Sequence, residues 1–503
     1  MAESESIQTE CDTVLQNNDD VQEKPTPLPM LQLFSVFLIQ VAEPVTATVI
    51  YPFINQFVRE TGITGGDEKK TGYYAGLIES AFFFAESLTV VFWGHLSDQY
   101  GRRPVLLLGP LGLTFSMFWF GMSTTFWPLM ISRCFQGVFN GNIGTCLMFA
   151  SKLTDSTNRG DAYAYMPMLW SFGTTSGPII GGLLSNAAQR WPNTLGRIPY
   201  LQAHPYFLPC AVAGLLAFVT FAIAFLGLKE TLPSIVAREK LEKRIRTSSD
   251  EITEESRLLQ PEEYPCYTVA SSESPTLIGN DSRDSGYRAI LTRPLLMTLT
   301  NHMFLTFLDM CHAVLLPLMY STSIPLGGLG LDPFHIGATL GAYGCINSFV
   351  QMNFLGRLIR KFGARRMYIF ASPAIAGCFA MYPIMSFFAR RAGGVDAIVI
   401  ACIVVQLTCH MGIYMAYGSL QVVLVENVPE NGPMGTVNGV AQMLGSGMRS
   451  IAPTFASSLF SISLQRGFAG GNMVYYILLA MTFVASRLSI LLPKQNNAKR
   501  RST

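Results

Sequence analysis

Apolar stretches of about 20 residues recur along the chain, separated by short polar joints. A helix of about that length spans the ~30 Å hydrocarbon core of a bilayer. The pattern therefore predicts an all-α polytopic membrane protein. Twelve spans are expected, at 31–51, 73–95, 104–123, 126–150, 162–184 and 206–228, then 294–320, 335–359, 366–388, 396–424, 434–462 and 472–492. Between the sixth and seventh lies a polar stretch rich in Ser, Glu and Arg. The expected organisation is a disordered cytosolic tail (1–29), an N-terminal six-helix bundle (30–228), a cytosolic linker (229–289), a C-terminal six-helix bundle (290–492) and a basic cytosolic tail (493–503).

Orientation follows from charge. With both termini cytosolic, roughly 24 of the 35 Lys and Arg fall in cytosolic segments and roughly eight outside, as the positive-inside rule requires. Asn280 heads an Asn-Asp-Ser sequon but lies in the linker, so it is expected to stay unglycosylated. The first residues are acidic and poor in apolar side chains, unlike a cleaved signal peptide. Composition agrees with the span pattern: only 14% of residues are charged, against roughly 25% in soluble proteins. The net charge of +2 says nothing about nucleic acid, and no basic, aromatic-interleaved stripe appears, so no nucleic-acid partner is expected. The ten cysteines form no CxxC pair, so neither a zinc site nor a disulfide framework is expected, and no cofactor is implied.

Six spans, a linker and six more is the layout of a duplicated transporter, and the halves echo each other. "GHLSDQYGRRPV" follows the second span and "GRLIRKFGARRM" the eighth, each with two glycines seven residues apart and a basic pair after them. Arg360 stands where the first copy has Asp98. The first copy, Gly94 to Arg103, resembles the loop signature G-x-L-x-D-R-x-G-R-R of the major facilitator superfamily. "RCFQGVFNG" (133–141) resembles that superfamily's R-x-x-Q-G-x-x-x-G motif, and "GTTSGPIIGG" (173–182) its antiporter motif G-x-x-x-G-P-x-x-G-G. With "GYYAG" (72–76) and "PYFLPC" (205–210), the chain looks like the drug:proton antiporter branch that includes zinc-induced-facilitator-like and tetracycline-exporter-like proteins. The resemblance implies a major facilitator fold, no enzymatic activity, and a cytosolic latch in which Asp98 meets the eleventh span. Gly94 is expected to allow close packing at the end of the second span, Gly101 to allow the tight turn, and Arg102 and Arg103 to hold the loop on the cytosolic side. Gln99 replaces the usual Arg and puts part of that charge relay in doubt.

The residues carry their own chemistry. Gly173, Gly177 and Gly181 repeat every four residues and give the fifth span one bare face for close helix packing, while Pro178 offers a bend beside Gly182. The resemblance implies a seal against leak; ordinary tight packing is the alternative. Arg133, Gln136 and Asn140 share a face of the fourth span, and Gln136 and Asn140 are expected to line a substrate cavity. Charges inside a membrane helix are costly and rarely face lipid. Glu79 and Glu86 on the second span, and Glu43 before Pro44 on the first, are expected to gather round Arg133. A carboxylate shielded from water holds a proton and a nearby cation loosens it, which is what proton coupling needs. A static salt bridge is the competing reading. On the seventh span His302, Asp309 and His312 fall roughly on one face, suited to a second proton relay, an amine contact or a metal contact, or else to packing. Gln406, His410, Tyr414 and Tyr417 on the tenth span, and Asn438, Gln442, Ser446 and Arg449 on the eleventh, form polar stripes that could line a substrate cavity or join helices.

These features point to a carrier that exchanges protons for a small organic molecule exported from the cytosol, working as a monomer in the bilayer. Proton symport, facilitated uptake and a non-transporting receptor of the same fold are the alternatives. The plasma membrane is the expected location. Glu254, Leu258 and Leu259 form an acidic dileucine string that would fit a vacuolar one.

Overall fold

The computed structural model describes residues 30–141, 159–230, 235, 292–427 and 434–493. The tail, nearly all of the linker and its sequon and dileucine string lie outside the described residues, as do Lys152 and the side chains of Asp98 and Asn438.

Twelve long helices account for nearly all of it: α1 (Met30–Thr48), α2 (Thr71–Tyr100), α3 (Arg102–Met122), α4 (Phe126–Asn140), α5 (Arg159–Leu184) and α6 (Phe207–Gly227) in the first half. The second half holds α7 (Arg293–Ser321), α8 (Pro333–Val350, running through a π-helical turn, Gln351–Leu355, into Gly356–Phe362), α9 (Ala364–Ala392), α10 (Ala397–Glu426), α11 (Met434–Arg466) and α12 (Met473–Ile490). Among the described residues, α3, α6, α7, α9, α10 and α12 are long and apolar enough to cross a membrane on composition alone. The other helices bury polar side chains among their neighbours, such as Glu43, Glu86, Arg133, Ser171, Asn347 and Ser457. Large side chains such as Phe115, Phe172, Phe370 and Phe483 are mostly exposed on the outside, where hydrocarbon rather than water would meet them.

The duplicated seam is visible in the backbone. Gly101 and Gly363 take φ of +102° and +84°, left-handed values that admit glycine, and each joins two helices in a turn of one residue. The α3 N-terminus is capped from a distance: the Glu230 carboxylate accepts from the backbone N–H groups of Arg102 (3.0 Å) and Arg103 (2.9 Å). An acid at a helix N-terminus satisfies free donors and meets the positive end of the dipole. Arg103 also donates to the Phe225 carbonyl, tying the turn to the end of α6.

The halves meet along two helix pairs, α2 with α11 and α5 with α8. Gly72 and Gly76 lie against the backbone and hydroxyls of Pro453, Ser457 and Ser461. Thr454 donates to Ser80 Oγ at 2.8 Å. On the other pair, Gly182 packs on Gly337 and Gly344 on Thr175, and the Ser171 and Ser348 hydroxyls bond at 2.6 Å. These contacts sit toward the end of the bundle that carries residues 49–70 and 322–332, called here the sealed end. Ion pairs reinforce it: Arg59 reaches Glu68 (3.7 Å) and the Ser321 carbonyl (3.3 Å), and Arg190 pairs with Asp332 (3.8 Å) over the Phe334 ring. Glu68 also accepts from Ser323 N–H at 2.8 Å. At the opposite end the halves stand apart among the described residues, and a Cβ added at Gly94, Gly439 or Gly447 would meet nothing within 4 Å. Gly94 was expected to allow close packing; in this arrangement it borders open space.

Candidate functional site

The glycine stripe of α5 faces α1, as its spacing predicts. Gly173 abuts Pro44, Gly177 the Thr48 hydroxyl and Val45 carbonyl, and Gly181 the Val49 carbonyl so closely that a Cβ would overlap it. Gly182 instead faces α8 of the other half, and so does the Pro178 carbonyl, which lies against Gly337. One ten-residue motif thus serves two seams, within and between halves.

The close approach of α1 to α5 places Glu43 in the interior, where Asn140 of α4 reaches it, and α2 and α4 pack on each other. Here the structure divides a cluster that the sequence suggested was single. Arg133, with no exposed surface, donates from Nη2 to Glu79 Oε2 (2.7 Å) and from Nη1 to Gln136 Oε1 (2.6 Å). The Tyr51 hydroxyl donates to the other Glu79 oxygen (3.0 Å), and the guanidinium lies 4.7 Å from the Phe82 ring centroid. Glu43 and Glu86 do not bond Arg133. Both accept from one nitrogen, Asn140 Nδ2, at 2.9 Å and 3.2 Å. Gln136 and Asn140, expected to line a cavity, are instead buried and joined to these charged groups.

Two anions converging on one amide in a membrane need a compensating positive charge. A bound proton would supply it. So would Arg449 of α11, which lies 5.7 Å from the Phe83 ring and whose field reaches both carboxylates.

In the second half, Asp309 and His312 part company although they are one turn apart. His312 is buried and shares a 2.9 Å hydrogen bond through Nδ1 with the Tyr382 hydroxyl. Asp309 stays partly exposed and meets His410 Nε2 at 3.4 Å. His410 is sandwiched by rings: Tyr343 stacks on it at 5.0 Å, with Tyr414 at 5.4 Å and His312 at 4.6 Å. Gln406 is fully buried, accepting from Tyr320 OH (2.9 Å) and donating to the Cys378 carbonyl (3.3 Å), so it joins helices rather than facing a cavity. Gln442 is exposed and accepts from Arg449 at 3.5 Å. Among the described residues no group of three His, Cys, Asp or Glu side chains is arranged to hold a metal ion.

At the seam, Gln99 bonds His95 at 2.9 Å on the surface. The Asp98 latch rests on a side chain outside the described set. Tyr51, Tyr382, Tyr343, Glu230 and the sealing ions Arg59, Glu68, Arg190 and Asp332 were not singled out from sequence, because their roles depend on partners on other helices or in loops.

The model of the family described as Major Facilitator Superfamily matches residues 36–453. The chain is 30% identical over 497 residues to the major facilitator-type transporter psiT2 of Psilocybe cyanescens, covering 93% of this chain and 92% of that one. It is 26% identical to the multidrug transporter mfsB of Aspergillus fumigatus, over 88% and 80% of the two chains. Protein ZINC INDUCED FACILITATOR 1 of Arabidopsis thaliana is 25% identical over 92% and 91%.

Proposed function

Because the chain belongs to the major facilitator superfamily and is a multi-pass secondary transporter of small molecules, not an enzyme, we propose that it is a proton-coupled antiporter exporting a small organic molecule from the cytosol. The observation that carries this reading is the Glu43–Asn140–Glu86 group. A proton bound there neutralises one carboxylate, and its loss leaves two anions that favour rearrangement toward Arg449 or toward water. The Arg133–Glu79 pair, with Tyr51 and Gln136 bonded to it, keeps α2 and α4 registered while α1 moves.

The sealed end is taken as the non-cytosolic one, which makes this an inward-facing state. Alternating access then breaks the α2–α11 and α5–α8 contacts at the sealed end and forms others near Gly94 and Gly439. The Asp98 latch belongs to that second state. The intact antiporter motif and the multidrug relative support export over uptake. The plasma membrane is the proposed location.

Transport into sealed inverted vesicles under an imposed pH gradient tests the reading, with a panel of aromatic amines, organic acids and neutral compounds. Gradient-driven uptake of at least one class is expected, lost in Glu86→Gln at unchanged protein level. Uptake that ignores collapse of the gradient, or survives Glu86→Gln, contradicts it.

A further inference from the structure

The second half holds a carboxylate in an unusual setting. Asp309 on α7 is partly exposed, and among the described residues its only ionic partner is His410, at a long 3.4 Å. Around it stand ring faces. Tyr343 and Tyr414 pack on His410, Tyr417 lies one turn further along α10 against His302, and all three tyrosines feel the Asp309 charge. Three polar atoms in this group have no hydrogen-bond partner: His410 Nδ1, His312 Nε2 and Tyr343 OH, on residues 7%, 0% and 7% exposed. Leaving buried polar atoms unpaired costs about 1–3 kcal/mol each, so the rings around Asp309 are held less firmly than fully bonded ones would be.

The chemistry of what fits is narrow. An anion would meet an uncompensated carboxylate. A metal ion does not fit, because among the described residues no three His, Cys, Asp or Glu side chains are arranged to hold one. The nearby cation, Arg449, lies beside His302 and Gly445 and 5.7 Å from the Phe83 ring centroid. A positively charged nitrogen on a flat apolar body fits. The charge pairs with Asp309, and the tyrosine ring faces attract it through their quadrupoles.

We infer that the second half binds an organic cation, an aromatic amine in protonated or quaternary form, with Asp309 as its counter-charge and Tyr343, Tyr414 and Tyr417 as its walls. This names the substrate class of the proposed export reaction and rests on that reading only in calling the ligand a substrate. The binding itself stands apart from proton coupling.

Equilibrium binding to the full-length protein in nanodiscs tests it, with three probes of one shape: phenyltrimethylammonium, its neutral isostere tert-butylbenzene, and benzenesulfonate. The wild-type protein is expected to bind the cation at least tenfold more tightly than either other probe. Asp309→Asn is expected to lose at least tenfold in affinity for the cation and Asp309→Glu less than threefold. Tyr414→Leu is expected to lose severalfold while Tyr414→Phe keeps most of the affinity, which separates ring-face attraction from a hydroxyl contact. Should Asp309→Asn fold poorly, the tyrosine pair still decides. No cation binding by the wild-type protein, equal binding of benzenesulfonate, or an unchanged Asp309→Asn affinity together with an indifferent Tyr414→Leu would overturn it. Cation binding without gradient-driven flux overturns the antiport reading alone; flux of other compounds without cation binding overturns this inference alone.

Discussion

The two halves share a fold and a seam but treat buried charge in opposite ways. In the first half three carboxylates sit in the interior, each holding a side-chain hydrogen bond from another helix, and one arginine compensates one of them. In the second half a single carboxylate, partly exposed and met by His410 at 3.4 Å, faces tyrosines and imidazoles. Tightly bonded ionisable groups suit protons, which need only a small shift of bonding. Loosely bonded groups among rings suit a larger guest that brings its own contacts. On the proposed reading the two duplicated scaffolds divide the work of proton and substrate.

The contrast can be broken at several points. The largest effect is expected where the first half is most tightly paired. Glu79→Ala leaves Arg133 buried without its partner, costing about 3–5 kcal/mol. Thermal unfolding of the purified protein should show it as a large loss of stability, while the double variant with Arg133→Met recovers most of it. Next come the glycines. Gly181→Ala forces a Cβ into the Val49 carbonyl and should cost about 1–3 kcal/mol as overpacking, whereas Gly94→Ala, facing open space, should change stability by less than about 0.5 kcal/mol. The same Gly94→Ala variant should slow transport if the two halves close on that residue in the other state. A similarly small effect is expected at the sealed end. Arg190→Ala removes a partly exposed pair with Asp332 worth about 0.2–1 kcal/mol. Distances between spin labels on the two halves should then shift toward the state open at that end.

How much of this was legible in the sequence follows the physics of each feature. The spans were, because hydropathy reports directly on lipid contact. The α5 glycine face was also legible, since a four-residue repeat fixes one side of a helix whatever lies opposite. What lies opposite was not. Gln136 and Gln406 occupy faces that read as cavity lining, yet one turns to Arg133 and the other to Tyr320 and Cys378. Periodicity gives a residue's direction and says nothing of the neighbour's side chain. The division of Glu43 and Glu86 from Arg133 was hidden for the same reason: it depends on how far Asn140 reaches between α1 and α2. The sealing ions were hidden more deeply, because Arg59, Glu68, Arg190 and Asp332 lie at span ends or in joints, where polar residues are ordinary.

The division of labour is tested most directly by comparing two fluxes of labelled phenyltrimethylammonium in proteoliposomes: accumulation driven by a pH gradient, and exchange against unlabelled probe without one. Glu86→Gln is expected to lose accumulation yet keep exchange, because exchange needs no net proton movement, and Asp309→Asn is expected to lose both. If Glu86→Gln accumulates probe like the wild-type protein, or Asp309→Asn exchanges it at the wild-type rate, the two halves do not divide proton and substrate between them.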